Sequence, residues 1–316
     1  MRLLASDIGA TNSRFAIFET KNAELSMKDQ ICLPTQESAS IHDLLSQLQA
    51  RNPDMSIERC ERAVLAVPGP VCGSTALLPN VPWNIDLDEL PGTVCMLNDF
   101  AAQAYACLSP VAADARLVKG NGHLRHGPVA VIGAGTGIGF ALAIPPDDGR
   151  TKPLVVPSEL CHAMYPFAGD AEEAFRQFGL KQCPRSYLTP DLVVSAKGLE
   201  RIHQFLSGEK RSAAEIAALH PPETIAMYAT LFARICRQYC LAVMPTGGLF
   251  ITGGVAIKNP WFVENPAFLS EFVSNPVLHG YLDSLEIKLF TRLDTGLWGA
   301  AYYALEEGPP RVCARE

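Results

Sequence analysis

The sequence lacks the basic character of a nucleic-acid-binding protein. Its 26 Lys and Arg residues are outnumbered by 33 Asp and Glu residues, and the formal net charge is −7. No run of Lys and Arg creates a local basic patch. Because nucleic acids and anionic lipid surfaces are bound through clustered positive charge, the composition argues against both kinds of partner.

A long apolar run is also missing. The apolar stretch at the N-terminus is short and ends at Asp7, so it resembles neither a secretory signal nor a membrane span. No later segment reaches about 18 uninterrupted apolar residues, the length that would indicate a transmembrane helix. We therefore expect a soluble, cytoplasmic protein that does not associate with a membrane.

Paired cysteine motifs are absent, although the chain contains ten cysteines. No CxxC pair occurs, and Cys236 and Cys240, four residues apart, have no matching second pair. A structural zinc site needs four convergent ligands at short spacing, so we expect no zinc. Small core residues and free thiols in a reducing cytosol account for these cysteines.

What the sequence does contain is an alternation of segments with strand and helix character. Apolar runs at residues 2–8 and 13–19 flank a Gly-containing turn, and residues 128–144 repeat this design, so both predict β-hairpins. Residues 40–50 have helical periodicity, with Ser40 as a plausible N-cap. The alternation predicts an α/β protein, and 316 residues suffice for about two domains, each opened by one hairpin.

The first hairpin turn, within DIGATNSR, is built of small and polar residues that let backbone N–H groups approach a phosphate closely. These residues are Gly9, Ala10, Thr11 and Asn12. Asp7, on the preceding strand, can hold Mg²⁺ directly or through water. Taken alone, the motif is better explained by an ordinary turn in which Asp7 and Arg14 are solvated or paired.

The second hairpin turn contains four alternating glycines, GAGTGIG at residues 133–139. A Rossmann fingerprint requires GxGxxG opening a helix, and a Walker P-loop requires GK[ST]; neither pattern fits. The remaining interpretations are a strand–turn–strand phosphate cradle, in which Thr136 donates its hydroxyl, and a flexible hairpin. The density of glycine favours the cradle, because glycine is entropically costly where no ligand needs a close approach.

Three further motifs carry polar groups or glycines at predicted element ends. Asp99 follows a strand end and begins a helix, which is compatible with a helix N-cap and with a carboxylate at the ligand-binding edge of a sheet; both interpretations can hold together. Beside it, Asn98 offers a donor and an acceptor to a polyol. Glu159 and His162 form a weak polar pair that is not a zinc motif. The Gly253–Gly254 pair ends a strand and can admit a flat base, although a plain turn explains it better locally.

The order of these motifs resembles the bacterial glucokinase family of the sugar kinase/Hsp70/actin superfamily. The resemblance covers nearly the whole chain and is carried by DIGATNSR, LPNVPW, LNDFAAQAYA, GAGTGIG, ITGGVAIK and TGLWGAAYYAL. It implies an α/β fold with two RNase H-like (actin-like ATPase) domains flanking a deep cleft. The small domain would comprise residues 1–98 plus 297–316, and the large domain residues 99–296. The resemblance also implies ATP and Mg²⁺, a hexose substrate phosphorylated at its 6-hydroxyl, and commonly a homodimer.

The resemblance assigns roles to individual residues. Asp99 matches the general base that takes the proton of the sugar 6-hydroxyl. The positions that match sugar ligands are Asn80, Asn98, Asp99, Glu159, His162 and Asp191. The positions that match the nucleotide site are Asp7, Gly9, Ala10, Thr11, Asn12, Arg14, Gly135, Thr136, Gly137, Gly253 and Gly254. Asp7 is also the expected Mg²⁺ site, with water between the carboxylate and the metal.

Two departures from the family pattern leave the preferred sugar open. The family shows Gly-Glu-Gly-Gly-His where this chain has Ser-Glu-Leu-Cys-His at residues 158–162, and a family glutamate is replaced by the shorter Asp191. A kinase for another hexose therefore stays an alternative, as do a regulatory protein that binds ATP and sugar without useful turnover and an ATPase resembling actin or a chaperone. The cysteine-rich zinc motif of the related ROK kinases is absent.

Overall fold

A computed structural model describes residues 1–306 except residues 23, 79, 80, 82, 124, 148 and 150. The strands are β1 Arg2–Ile8, β2 Asn12–Lys21, β3 Glu24–Pro34, β4 Arg62–Val67, β5 Val71–Cys72, β6 Thr75–Ala76, β7 Ile85–Asp86, β8 Val94–Asn98, β9 Arg116–Lys119, β10 Val129–Ala134, β11 Ile138–Ile144, β12 Leu154–Ser158, β13 Leu249–Thr252 and β14 Ile287–Leu289. The α-helices are α1 Ile41–Arg51, α2 Asp99–Ala106, α3 Gly169–Gln182, α4 Pro190–Val193, α5 Ala196–Ser207, α6 Ala213–Leu219, α7 Pro222–Val243, α8 Gly254–Lys258, α9 Pro266–Val273, α10 His279–Ser284 and α11 Thr295–Glu306. Short 3₁₀ helices include Thr35–Glu37 and Leu160–His162.

The chain forms two compact α/β units, which are described separately. The first contains Met1–Asp114, Pro145–Pro157 and the described residues from Asp294 onward; the second contains Ala115–Ile144 and Ser158–Leu293. The sequence had suggested boundaries at residues 98–99 and 296–297. In the structure α2 stays with the first unit, because its apolar face packs with that of α11 in one buried cluster.

The first unit is built on a five-stranded sheet in the order β3-β2-β1-β4-β8. The predicted hairpin of β1 and β2 is antiparallel, while β4 runs parallel to both β1 and β8. All six residues of β4 are buried, as is expected of a central strand that is covered on both faces. The carboxyl ends of β1, β4 and β8 therefore lie at one edge of the sheet.

The second unit repeats this arrangement. Its adjacent strands β11, β10, β13 and β14 follow one another in the sheet, with β10 and β11 antiparallel and β10, β13 and β14 parallel. All six residues of β10 are buried. An antiparallel glycine-turn hairpin followed by parallel strands is thus common to both units, as the two similar sequence motifs suggested.

Two helices show how local sequence signals are realised. α1 begins after Ser40, whose side chain accepts a hydrogen bond from the N–H of Asp43 at 3.1 Å, so the predicted N-cap is confirmed. In the long α7, Cys236 and Cys240 are fully buried free thiols, which agrees with their interpretation as core residues. Among the described residues, none of the helices combines the length and the apolarity that crossing a membrane would demand.

Candidate active site

Side chains that follow β3 hold the turn between β1 and β2. Thr35 Oγ1 donates to the carbonyl oxygen of Gly9 at 2.7 Å, and Gln36 Nε2 donates to that of Ala10 at 2.6 Å. The backbone N–H of Thr35 donates to the carbonyl of Thr11 at 3.0 Å. Three successive carbonyl groups of the turn are therefore bonded to protein, which fixes its conformation.

The exposed tip of this turn suits an anion. The N–H of Gly9 closes the turn by donating to the carbonyl oxygen of Asn12 at 3.0 Å, and residues 11 and 12 are exposed. With their carbonyls engaged behind the turn, these residues can present backbone N–H groups to a phosphate.

Asp7 lies beneath this turn in a largely buried position. It pairs with Arg14 across the hairpin, with 4.0 Å between Oδ2 and Nη1. The start of α11 covers the carboxylate, since a Cβ on Gly296 would lie only 2.9 Å from Asp7 Oδ2. Burial raises the pKa of Asp7, and the positive charge of Arg14 lowers it by a smaller amount. A divalent cation nearby would restore the charged form, so this carboxylate fits the expected metal role.

Asn98, rather than Asp99, is the N-cap of α2. Its Oδ1 accepts from the N–H groups of Phe100 and Ala101 at 2.9 and 3.1 Å, and its Nδ2 donates to the carbonyl of Gly69 at 3.0 Å. The interpretation of Asp99 as the cap is therefore wrong, because the preceding side chain already bonds the first amides of the helix. The second amide hydrogen of Asn98 can still be donated to a sugar hydroxyl.

Asp99 is the first residue of α2 and follows directly on the carboxyl end of β8. Its Oδ1 accepts from the N–H of Phe100 at 2.8 Å, and the residue is only partly buried. The structure thus places this carboxylate at the edge of a parallel sheet where open α/β folds bind ligands.

The expected sugar-side segment LPNVPW is described only in part. Trp83 is buried and donates from Nε1 to the carbonyl oxygen of Ser38 at 2.9 Å, which ties the segment to the residues before α1. Asn80, the sugar ligand expected here, lies outside the described residues.

In the second unit, the turn between β10 and β11 is held from both sides. The N–H of Gly135 donates to the carbonyl of Gly137 at 2.7 Å, and the carbonyl of Gly135 accepts from the N–H of Ala196, the first residue of α5, at 2.9 Å. Thr136 stands exposed at the tip. The hairpin is therefore a braced turn rather than a flexible one.

Asp191 supports the same turn from α4. Its Oδ1 accepts from the N–H of Ile138 at 3.1 Å, and a Cβ on Gly137 would lie 2.6 Å from that oxygen. The sequence had assigned Asp191 to the sugar. The structure shows that one of its carboxylate oxygens is bonded to the second glycine turn, a contact that no sequence motif indicated.

The Gly253–Gly254 pair lies next to this turn. Gly253 has φ of 89°, and a Cβ there would lie 2.4 Å from the carbonyl oxygen of Ala134 at the end of β10. Only glycine fits both constraints. A Cβ on Gly135 would lie 3.9 Å from the backbone nitrogen of Gly254, so the two glycine motifs are neighbours. The pair is not a plain turn, because α8 begins at Gly254.

Glu159 and His162 lie on either side of a buried cysteine in the segment after β12. The distance from His162 Nε2 to Glu159 Oε2 is 3.6 Å, and both side chains are more than half exposed. Cys161 is buried, and its Sγ donates to Glu159 Oε2 at 3.4 Å. Burial and the negative charges of Glu159 and Asp191 raise the pKa of this thiol to about 12.

The chain matches the family model described as Glucokinase over residues 4–307, nearly its full length. The chain belongs to the glucokinase family. As a member it is a sugar kinase of the transferase class, and membership assigns it the family's reaction, the ATP-dependent phosphorylation of glucose.

Curated relatives match over almost their whole lengths. The glucokinase of Trichormus variabilis is 26% identical over 341 residues, which cover 96% of this chain and 98% of that protein. The glucokinase of Nitrobacter hamburgensis is 28% identical over 320 residues, which cover 95% of this chain and 96% of that protein.

Solved structures agree on the fold. A glucokinase from an Antarctic psychrotroph superposes with a TM-score of 0.79 at 23% identity, covering 95% of this chain and 98% of that one. A ROK-family glucokinase from Streptomyces griseus, in complex with glucose and AMPPNP, superposes with a TM-score of 0.63 at 16% identity, covering 95% of this chain and 98% of that one. The fold is thus that of the actin-like ATPases, as the sequence predicted.

The predicted site residues fall into two groups. In the first unit, Asp7 and Arg14 lie at the first glycine turn. In the second unit, the two glycine motifs adjoin each other and Asp191. Residues that the sequence did not reveal are Thr35, Gln36 and Gly296, which act through contacts between segments that are distant in the chain. Cys161 was also missed, and its contact is local, with Glu159 two residues before it.

Proposed function

We propose that the protein transfers the γ-phosphoryl group of ATP to the 6-hydroxyl of glucose and that Asp99 is the general base. The observation that carries this assignment is that Asn98, not Asp99, caps α2. A carboxylate at the carboxyl edge of the sheet that is not needed as the cap is suited to accept the proton of the attacking hydroxyl. General-base catalysis contributes about 10²–10⁴-fold to the rate.

The two glycine turns hold the phosphates in this proposal. Carbonyl groups of both turns are bonded to protein, those of Gly135 and Gly137 in the second turn, and both tips are exposed. Backbone N–H groups and the hydroxyl of Thr136 can therefore donate to phosphate oxygens. Because these donors are already fixed, they stabilise the charge of the transferring group without reorganisation. The Gly253–Gly254 pair, which adjoins the second turn, would receive the adenine.

Asp7 would hold Mg²⁺ through water. A bound Mg²⁺ would neutralise negative charge on the phosphates. Asp7 fits this role because it is a largely buried carboxylate whose nearest cationic group among the described residues, that of Arg14, is 4.0 Å away. Arg14 in turn limits how far burial can raise the pKa of Asp7.

Glu159, His162 and Asn98 would bind sugar hydroxyls. Glu159 and His162 are exposed and 3.6 Å apart, which suits adjacent hydroxyl groups of one pyranose ring. For Asp191 we propose a supporting role, because it bonds the second glycine turn. Two expectations remain: a homodimer, which the family resemblance implies and light scattering tests, and a cytoplasmic location, which the sequence suggests and cell fractionation tests.

The test is ADP release from Mg·ATP with glucose, mannose, fructose or glucosamine and without sugar. We expect glucose-dependent turnover, and we expect Asp99→Asn to lower kcat at least about 10²-fold, since the amide keeps the shape but not the basicity. Asp29→Asn, the same change at an exposed acid of the first unit, is the matched control and should behave as wild type. Near-normal turnover of Asp99→Asn would refute the assigned base. Turnover with only another hexose would show that the enzyme prefers that sugar, and we would attribute the preference to residues 158–162.

A further inference from the structure

Three potential metal ligands converge in the segment after β12. One ligand atom from each of Glu159, Cys161 and His162 can be chosen so that all three lie within 4.8 Å of one another. Glu159 Oε2 is 3.4 Å from the sulfur of Cys161 and 3.6 Å from Nε2 of His162. The three side chains belong to one four-residue stretch, in which Glu159 precedes the 3₁₀ helix Leu160–His162.

Two of the three separations are close to those of ligands on one tetrahedral zinc ion. Zinc lies about 2.3 Å from a thiolate and about 2.1 Å from an imidazole nitrogen or a carboxylate oxygen. In a tetrahedron these lengths place sulfur and oxygen about 3.6 Å apart, and nitrogen and oxygen about 3.4 Å apart. The two distances from Glu159 Oε2 each differ from their targets by about 0.2 Å. The sulfur of Cys161 and the imidazole nitrogen of His162 lie within 4.8 Å of each other and must come to about 3.6 Å in a zinc complex.

The ligand types select the metal. Thiolate and imidazole favour zinc, whereas Mg²⁺ and Ca²⁺ prefer oxygen ligands. Asp191 lies close enough to act electrostatically on Cys161 and adds negative charge around the site. The exposed Glu159 and His162 give a hydrated ion access, and three protein ligands leave a fourth position for water.

We propose that Glu159, Cys161 and His162 form a site for one Zn²⁺ ion that excludes the hexose. Binding transfers the thiol proton of Cys161 to solvent and forms a zinc–thiolate bond. The metal site itself needs only the three side chains, whereas its competition with sugar rests on the proposed function, in which Glu159 and His162 bind hydroxyls. The sequence argued against zinc because four convergent ligands were missing and because Glu159 and His162 do not form an HExxH motif. An open three-ligand site that includes Cys161 is covered by neither criterion.

The experiment is a titration of the full chain with Zn²⁺ alone, read by competition with a chromophoric chelator. We expect one tight ion per chain, and we expect Cys161→Ser to weaken it at least about tenfold, since losing even an outer partner of a ligand costs about 10–100-fold. Cys183→Ser, a change at a partly buried cysteine of the same unit, is the matched control and should leave the affinity unchanged. Thermal unfolding checks that both variants are folded.

Glucose and inhibition kinetics separate the two parts of the proposal. Glucose should weaken zinc binding to the wild type, and Zn²⁺ should inhibit turnover competitively with glucose in the wild type but not in folded Cys161→Ser. Equal zinc affinity of wild type and Cys161→Ser would overturn the metal site and leave the sugar roles intact. Cys161-dependent zinc binding that glucose does not affect would support the metal site and refute the sugar roles of Glu159 and His162.

Discussion

Replacing Gly137 with alanine should break the contact between α4 and the second glycine turn. The new Cβ would lie 2.6 Å from Asp191 Oδ1, closer than real Cβ contacts occur, so the carboxylate must move. That movement breaks its 3.1 Å hydrogen bond with the N–H of Ile138. Hydrogen bonds to charged groups contribute about 1.5–3 kcal/mol, and we expect Gly137→Ala to lower the free energy of unfolding by this amount.

The assay is thermal unfolding of the full chain. For a unit of about 150–250 residues, 1 kcal/mol shifts Tm by about 2–4 °C, so the expected loss is about 3–12 °C. Gly135→Ala, in the same turn, is the control: its Cβ would meet its nearest atom at 3.9 Å, an ordinary contact, so Tm should change little.

A double mutant identifies Asp191 as the cause. Asp191→Ala and Gly137→Ala break the same hydrogen bond, so the pair together should cost no more than Asp191→Ala alone. The reasoning is refuted if Gly137→Ala and Gly135→Ala are equally stable, or if the effects of Gly137→Ala and Asp191→Ala simply add.

Four further substitutions probe the first unit. Asn98→Ala should lower the free energy of unfolding by about 1 kcal/mol through loss of the helix cap. Asp99→Ala should instead lower kcat and leave Tm nearly unchanged. Thermal unfolding followed by circular dichroism measures the first effect, and ADP release measures the second. Because burial raises the pKa of Asp7, the charged carboxylate destabilises the fold at any pH above that pKa. Asp7→Asn should therefore raise Tm at neutral pH, and this gain should disappear as the pH falls through the raised pKa. The same substitution should impair turnover. Gly299→Ala should lower the free energy of unfolding, measured by urea titration, by about 1–3 kcal/mol, since its Cβ would lie 1.7 Å from the carbonyl oxygen of Ala102.

Each of these has a clear contrary result. Equal melting temperatures for Asn98→Ala and wild type would show that the Asn98 side chain does not stabilise α2 as its N-cap. A Tm gain in Asp7→Asn that does not depend on pH would show that burial of the charge is not its source. A fully stable Gly299→Ala would contradict the close approach of α11 and α2.

Much of the fold follows from local sequence. The alternation of apolar residues and the glycine turns predicted both hairpins, and Ser40 marked the start of α1, because strand pairing across a short turn and helix capping depend on neighbouring residues. The order of the glycine and Asn-Asp motifs sufficed to indicate the family, which the match over residues 4–307 shows.

Roles set by contacts between distant segments were decided only by the tertiary structure. Asp191 bonds the N–H of Ile138, 53 residues away, and Thr35 bonds Gly9 across β2 and β3. Even the choice of Asn98 over Asp99 as cap depended on the backbone angles at the end of β8, which the sheet imposes. The sequence by itself determined which residue types stand at the strand ends; packing determined which backbone groups their side chains reach, because a hydrogen bond requires a position and a direction that residue type alone does not specify.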